Sequence, residues 1–333
     1  MANPKPTPIR KPTPKPTPIR KPTPTPTPTP PVLLPTGFQD LQARASGISY
    51  AAWSKSSQQI ASAKSVLGKS TIIIGPNTTL SFSTPLAALD LTSALYSLAK
   101  QVNNVYLIYY SQQDIAWAQT NFDSLNDNSV GGSGAAANNC QTTSTCWGAS
   151  TWLNIAGDGL LLIAVGVQDL NHTSGSLESH EYTHTIQMIQ APHNYASLPR
   201  WLLEGGAEWS QSAATYSGDF NKYLEERKRN TNDLFANPSA YTPEWIATFL
   251  DLNPGTDWIY WNTYENWRLY DVGLLATEAL VALNGPETVM KLYADVGNGQ
   301  TFMDSFNTEY GMSWVDSVPI LAEAISAEIA KGW

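Results

Sequence analysis

Apolar positions along this chain follow two regimes. Between 71 and 167 they gather in short runs: three isoleucines within 71–75, a β-branched and aromatic run at 104–110, and a nearly all-apolar run at 160–167. Runs of this length between Gly, Asn and Ser clusters read as strands. After residue 173 the spacing turns to three and four and stays there. It predicts helices near 177–190, 199–214, 220–229, 243–250, 264–283, 287–296 and 315–329. Two earlier stretches are also helical in pattern. One covers 37–67; the other opens at Thr84-Pro85, a cap followed by proline in the first turn, with Leu86, Leu89, Ala94, Leu95 and Leu98 as its apolar face. The stretch 123–148 reads as loop. Strands first and helices after predict the α+β class: a sheet-containing lobe at 37–170, a helix pair at 171–215 and a helical lobe at 216–333.

The first 36 residues obey neither regime. They hold 14 of the 23 prolines and six of the 19 basic residues, with no acidic residue. Lys-Pro-Thr-Pro repeats give way to a Thr-Pro run from Thr23 to Pro30. Proline at every second position fixes φ and removes amide donors, which predicts an extended, disordered Pro/Thr linker over 1–36. Such spacers attach a domain to a surface or to a second module. Removing the tail turns the net charge of −9 into a body near −15 behind a +6 segment. The remaining 297 residues suffice for one large domain or two small ones. An acidic body excludes nucleic acid and anionic lipid as its partners, since both reward clustered Lys and Arg. No apolar run approaches membrane-spanning length, so no membrane span is expected.

Cys140 and Cys146 sit six apart in a stretch of Gly, Asn, Ser and Thr. That spacing predicts a small local disulfide and an oxidising compartment rather than a zinc pair. With the spacer it places the protein outside the cell or on its surface. The start Met-Ala-Asn-Pro-Lys-Pro lacks the apolar stretch of an export signal, so an upstream start or a processed form is expected. Asn77-Thr78-Thr79 and Asn171-His172-Thr173 match the glycosylation triplet, a weak signal by chance frequency.

The chemistry concentrates at His180-Glu181-Tyr182-Thr183-His184, an HExxH sequence in a helix capped by Ser176. Residues at i and i+4 share a helical face, so both imidazoles reach one metal ion while Glu181 faces its open side. Two ligands do not hold zinc tightly. A third donor is expected on the next helix, where Pro199-Arg200-Trp201-Leu202-Leu203-Glu204-Gly205-Gly206-Ala207-Glu208 places two carboxylates again at i and i+4. Gly205 and Gly206 together cost about 2 kcal/mol relative to alanine in a helix interior, which predicts close helix contact there.

This arrangement resembles the gluzincin zinc metallopeptidases. The order of His180-Glu181-Tyr182-Thr183-His184, Glu204 and Glu208 is similar to thermolysin-like members, and the wording around Glu204 is closer to the peptidase MA-like group that includes aminopeptidase N. Tyr270-Asp271-Val272-Gly273 ahead of an Ala/Leu-rich helix resembles the segment whose tyrosine contacts the reacting carbonyl oxygen there. Phe302, Phe306, Tyr310, Gly311 and Trp314 echo the pattern that closes such domains, so the likeness spans about 160–314. It implies a zincin-like fold with one catalytic Zn²⁺ between the lobes, held by His180, His184 and Glu204. Glu181 would be the general base toward the metal's water, Glu208 would orient His180, and Tyr270 would donate to the oxyanion, with Tyr264, Tyr195 and His193 as rivals for that last task. His172 and His193 read otherwise as loop residues. The segment 159–167 would be the edge strand along which an extended substrate pairs.

Two departures narrow the expectation. No Gly-x-Met-Glu-Asn motif precedes the HExxH sequence, which favours an endopeptidase over an aminopeptidase. Glu208 stands where thermolysin-like members have Asp. The expected function is zinc-dependent hydrolysis of peptide bonds in a peptide or protein substrate. Its rivals are a silent surface-binding or adhesion module that keeps the zinc site, and a zinc hydrolase of another amide such as a cell-wall bond.

Overall fold

The computed structural model describes residues 33–127, 131–166, 170–252 and 267–332. The predicted linker therefore lies outside the described residues up to 32. So do Val167, at the end of the third predicted strand, and Tyr264.

One four-stranded mixed sheet is built from β1 (Lys69–Ile74), β2 (Asn104–Tyr110), β3 (Ala149–Leu153) and β4 (Gly159–Ala164). Its order is β1-β2-β4-β3; β1, β2 and β4 run parallel and β3 antiparallel at one edge. Side chains alternate across the pleat. Val105, Leu107, Tyr109, Leu161 and Ile163 enter the main core, while Ile108, Tyr110, Leu160, Leu162 and Ala164 enter a second core on the other face. Burial on both faces explains why the third apolar run shows no polar alternation. It also overturns the expectation that 159–167 is an edge: β4 pairs with β2 on one side and β3 on the other. The edges are β1 and β3; the one packed on the His180 helix is β3, whose sequence Ala-Ser-Thr-Trp-Leu carries no readable alternation.

The second core is closed by α3 (Ile115–Leu125), a helix the apolar pattern did not predict, through Ala118 and Phe122. Cys140 and Cys146 complete it, bonded to each other and fully buried, as their spacing predicts.

Among the described residues, the other helices of eight or more residues are α1 (Ile48–Ser62), α2 (Pro85–Leu95), α4 (Ser176–Gln190), α5 (Arg200–Thr215), α6 (Phe220–Asn230), α7 (Pro243–Leu250), α8 (Arg268–Asn284), α9 (Pro286–Gly297), α10 (Phe302–Tyr310) and α11 (Trp314–Lys331). The protein is thus α+β. α1 does not belong with the sheet, although its position in the chain suggested so. Its Trp53 indole donates to the Tyr216 carbonyl at 3.0 Å and its Lys55 to the Leu283 carbonyl at 2.6 Å, so it packs on the helical part. α2 opens with Pro85 as predicted but stops at Leu95. Leu89 and Leu95 are buried, whereas Leu98, beyond the last turn, is 82% exposed and Leu86 lies at the surface. The compact body begins at Leu33, earlier than the composition break at 36, because the Leu34 carbonyl accepts from Arg44 Nη1 at 2.7 Å and Thr36 bonds to Asp40. Among the described residues no helix is long and apolar enough to cross a membrane.

Two sets of contacts lock the helical part together. A Cβ on Gly205 of α5 would lie 2.1 Å from the carbonyl carbon of Gly273 of α8, so the two backbones touch. The predicted close contact exists, and its partner is α8; Gly206 instead faces Gln187 of α4. Further along, Arg227 of α6 donates from Nε to Glu278 of α8 at 2.7 Å and from Nη2 to Glu328 of α11 at 2.9 Å. All three are buried, and the Tyr223 hydroxyl donates to Glu278 as well.

Candidate metal centre

α4 begins after Gly175, whose φ of 87° is the left-handed conformation that glycine adopts without strain. Ser176 is the first helical residue and not the cap, since no side-chain cap bond forms at this end. The helix buries residues from Ser176 to Gln187 against β3, β4, α2 and α5, an environment with little water for its polar side chains.

His180 and His184 lie one turn apart on the face toward α5. Their Nε2 atoms are 3.1 Å from each other, and Glu204 Oε2 lies 3.9 Å from His180 Nε2 and 3.5 Å from His184 Nε2. The three predicted ligands are therefore brought together, and among the described residues they form the one His/Cys/Asp/Glu group able to hold an ion. A circle through the three atoms has a radius of about 2.0–2.1 Å, the length of an ordinary Zn–N or Zn–O bond. The donor set is also prepared at its other ends. His180 Nδ1 lies 3.3 Å from Glu208 Oε2, and His184 Nδ1 lies 2.7 Å from Gln187 Oε1. Protons held on both Nδ1 atoms leave both Nε2 lone pairs aimed at the shared point. Gln187 is itself fixed, donating to the Leu203 carbonyl and to the Tyr293 hydroxyl, each at 3.0 Å.

The electrostatics agree with a site built for a cation. Burial disfavours a charged His180. Hydrogen bonds to Glu204 and Glu208 and the charge of Glu181 override it, raising His180 to about 10. Burial also works against the Glu204 carboxylate, yet hydrogen bonds from His180 and His184 hold it well below the usual carboxylate range. The carboxylates thus stabilise positive charge at the point where the three donors converge, and a proton and a metal ion compete for it.

Glu181 projects toward a cleft of about 440 Å³ that also reaches His180, Glu208 and Tyr270. Its carboxylate accepts from Thr151 Oγ1 at 2.6 Å, and the same hydroxyl lies 3.0 Å from the Glu181 carbonyl oxygen. Thr151 faces α4 because its register partner Leu161 does, while Ser150 and Trp152 turn to the second core. Tyr270 stacks along His180 with centroids 6.1 Å apart. Burial and the charges of Glu204 and Glu181 raise its hydroxyl well above the ordinary tyrosine value, so it stays a donor. The Gly205–Gly273 contact sets this distance, since Tyr270 sits one turn before Gly273.

Of the rivals for the Tyr270 position, Tyr195 is placed behind the site, its hydroxyl 3.3 Å from His184 Nδ1. His193 is exposed in the loop after α4. His172 is buried, with Nε2 3.1 Å from the carbonyls of Trp147 and Ala164, and is no part of the donor set. Sequence reasoning missed Thr151 and Gln187. Gln187 had a signal, the i+3 spacing from His184 that puts it on the same face; Thr151 had none, standing 30 residues away on an unrecognised strand. Compared with known proteins, the chain matches no family model, no curated protein and no solved structure.

Proposed function

We propose that the protein is a zinc-dependent peptidase of gluzincin type that cleaves within peptide or protein chains. One observation carries the reading: three metal-capable donors converge beside an open cleft, with a fourth polar side chain, Glu181, next to them and outside the donor set. A structural zinc site closes all four positions with protein ligands; three ligands and a cleft are the catalytic arrangement. When bound, zinc would acidify a water and polarise the substrate carbonyl as a Lewis acid.

The chain's own residues do the rest. Glu181 takes a proton from the attacking water as its oxygen bonds to the carbonyl carbon, and returns it to the amide nitrogen as the C–N bond breaks, leaving a carboxylic acid and an amine. Thr151 holds one oxygen of Glu181 in place. Tyr270 donates to the carbonyl oxygen as negative charge develops there, a task often worth about 3 kcal/mol. Glu208 and Gln187 keep both imidazoles in the ligating tautomer. Edge strand β3, beside Glu181, is the natural partner for an extended substrate backbone. The Cys140–Cys146 disulfide supports a site of action outside the cytoplasm.

The test is metal analysis of the purified protein together with cleavage of an unstructured protein substrate. About one zinc per chain is expected, with internal cleavage that disappears in Glu181→Gln while zinc is retained. A wild type that binds no zinc ends the proposal. A wild type that binds zinc and cleaves nothing across a broad peptide library leaves a binding module in its place.

A further inference from the structure

The cleft beside the donor cluster has a wall chemistry that plain peptide hydrolysis does not use. Trp147 and Trp267 line it although 42% and 55% exposed, and their indoles stack on each other at 6.4 Å with 27° between planes. Trp267 continues into Tyr270 at 5.6 Å, and Tyr270 into His180. A run of aromatic faces therefore leads outward from the metal donors. Exposing two adjacent indoles to water is unfavourable unless a ligand covers them.

The remaining lining is rich in carboxamides, with Asn171, Gln211, Asn230 and Asn232 on the same cleft. An apolar side chain seated here would desolvate these groups without bonding them. The charged lining is largely answered within the protein: Asp233 and Asp271 pair with Arg268 at 3.3 and 2.9 Å, and Arg229 pairs with Glu226.

The occupant that meets both demands is neutral, with a flat C–H face to lay on indole and an equator of hydroxyl or acetamido groups to bond carboxamides. We propose that this cleft is a sugar subsite, and that the substrate is a peptide carrying a pyranose close to the bond to be cut. The proposal rests on the peptidase reading for its reaction, but the sugar contact can be measured without it. Two indole faces covered by the sugar are expected to give roughly a tenfold preference, about 1.4 kcal/mol.

The test compares two synthetic peptides of one sequence, with and without a single O-linked N-acetylhexosamine on a Ser or Thr flanking the cleaved bond, using the full chain loaded with zinc. Wild type is expected to cleave the glycopeptide with kcat/KM about tenfold higher, and Trp147→Ala and Trp267→Ala each to bring that ratio toward one. Equal rates on the two peptides overturn the proposal and leave the peptidase reading intact. So does a preference that both tryptophan variants retain, or a preference for arginine at that position that Asp233→Asn abolishes. If no peptide is cleaved, the peptidase reading has failed on its own, and the subsite is read directly in Glu181→Gln by titrating a free N-acetylhexosamine disaccharide against tryptophan fluorescence. A saturable change that is lost when Trp267→Ala is added sustains the subsite; no change with both tryptophans in place overturns it.

Discussion

Two polar clusters are buried among the helices of this protein, and they are built on opposite plans. In the first, Arg227 answers Glu278 and Glu328, Tyr223 answers Glu278, and Trp209 Nε1 donates to the Tyr223 hydroxyl at 3.1 Å. Donors meet acceptors except at one buried Glu328 oxygen, and the group ties α6, α8, α11 and α5 together. In the second, His180, His184 and Glu204 turn their ligating atoms toward one shared point, 3.1–3.9 Å from one another, while the ring atoms behind them are held by Glu208 and Gln187. The first plan ties helices together; the second points its donors at one shared position, where we propose that an ion binds. Burial and perturbed acidity are common to both, so neither by itself identifies a functional site.

The largest effect comes from removing a ligand. Glu204→Ala is expected to lose zinc and all measurable peptide cleavage. In wild type a chelator should lower Tm, because an ion that binds only the folded chain adds stability by mass action, about 2.7 kcal/mol at a hundredfold excess over Kd. The Tm of Glu204→Ala should not respond to chelator. A wild-type Tm equally blind to chelator in a zinc-loaded sample contradicts an ion bound at the shared position.

The Arg227 network should behave in the reverse way. Arg227→Met leaves the buried Glu278 carboxylate without its cation and Glu328 without its donor, a loss of about 3–5 kcal/mol. It should appear in denaturant unfolding whether or not zinc is present. If the variant does not fold well enough to measure, Glu278→Gln combined with Arg227→Met removes one stranded charge and should recover part of the loss. A loss that depends on zinc would mean that the two clusters are coupled.

Acidity separates them further. Burial raises Glu328 to about 8 against the pull of Arg227, with Glu278 adding to the rise, so two carboxylates share one guanidinium and Glu328 keeps its proton near neutrality. Its folded pKa exceeds its unfolded value, so the folded state holds the extra proton between about pH 4.5 and 8. Stability then falls as pH rises through that window and levels off above it. Glu328→Gln should flatten the slope, becoming more favourable relative to wild type from pH 5 to pH 8 in Tm measurements on metal-free protein. An unchanged slope means that Glu328 is ionised throughout.

How much of this was legible depends on where the chain carried local signals. The HExxH spacing and the paired Glu204 and Glu208 are i, i+4 relations within single helices, and they predicted the donor cluster because helix geometry fixes such faces without tertiary information. Most helices after 173 were legible for the same reason, α10 being the long one that the spacing did not predict, and so was the disulfide, whose partners are six residues apart. Sheet order was not. The apolar run at 160–167 is equally compatible with an edge or a centre, and the edge beside α4 proved to be β3, whose small and polar residues give no period. Arg227, Glu278 and Glu328 each look like ordinary surface charges on amphipathic helices; only tertiary packing buries them together. Tyr270 lies between the extremes, reachable by resemblance and then positioned by the Gly205–Gly273 contact, of which the sequence showed one half.

The smallest predicted effect concerns the residue that gave no signal. Thr151 Oγ1 is 2.6 Å from Glu181 Oε2, and Thr151 is buried on β3, so it holds that oxygen from the sheet side. Thr151→Val keeps the shape and removes the donor, which leaves the carboxylate free to rotate away from the cleft and unsolvated at one oxygen. A lost hydrogen bond to a charged group is worth about 1.5–3 kcal/mol, of which the part felt in the reaction should lower kcat roughly tenfold. KM and zinc content should stay as in wild type, because Thr151 touches none of the three donors. Thr151→Ser restores the hydroxyl without the methyl and should recover most of kcat. A variant that loses zinc instead, or a serine that fails to rescue, would assign Thr151 to packing between β3 and α4 and return the positioning of Glu181 to the helix alone.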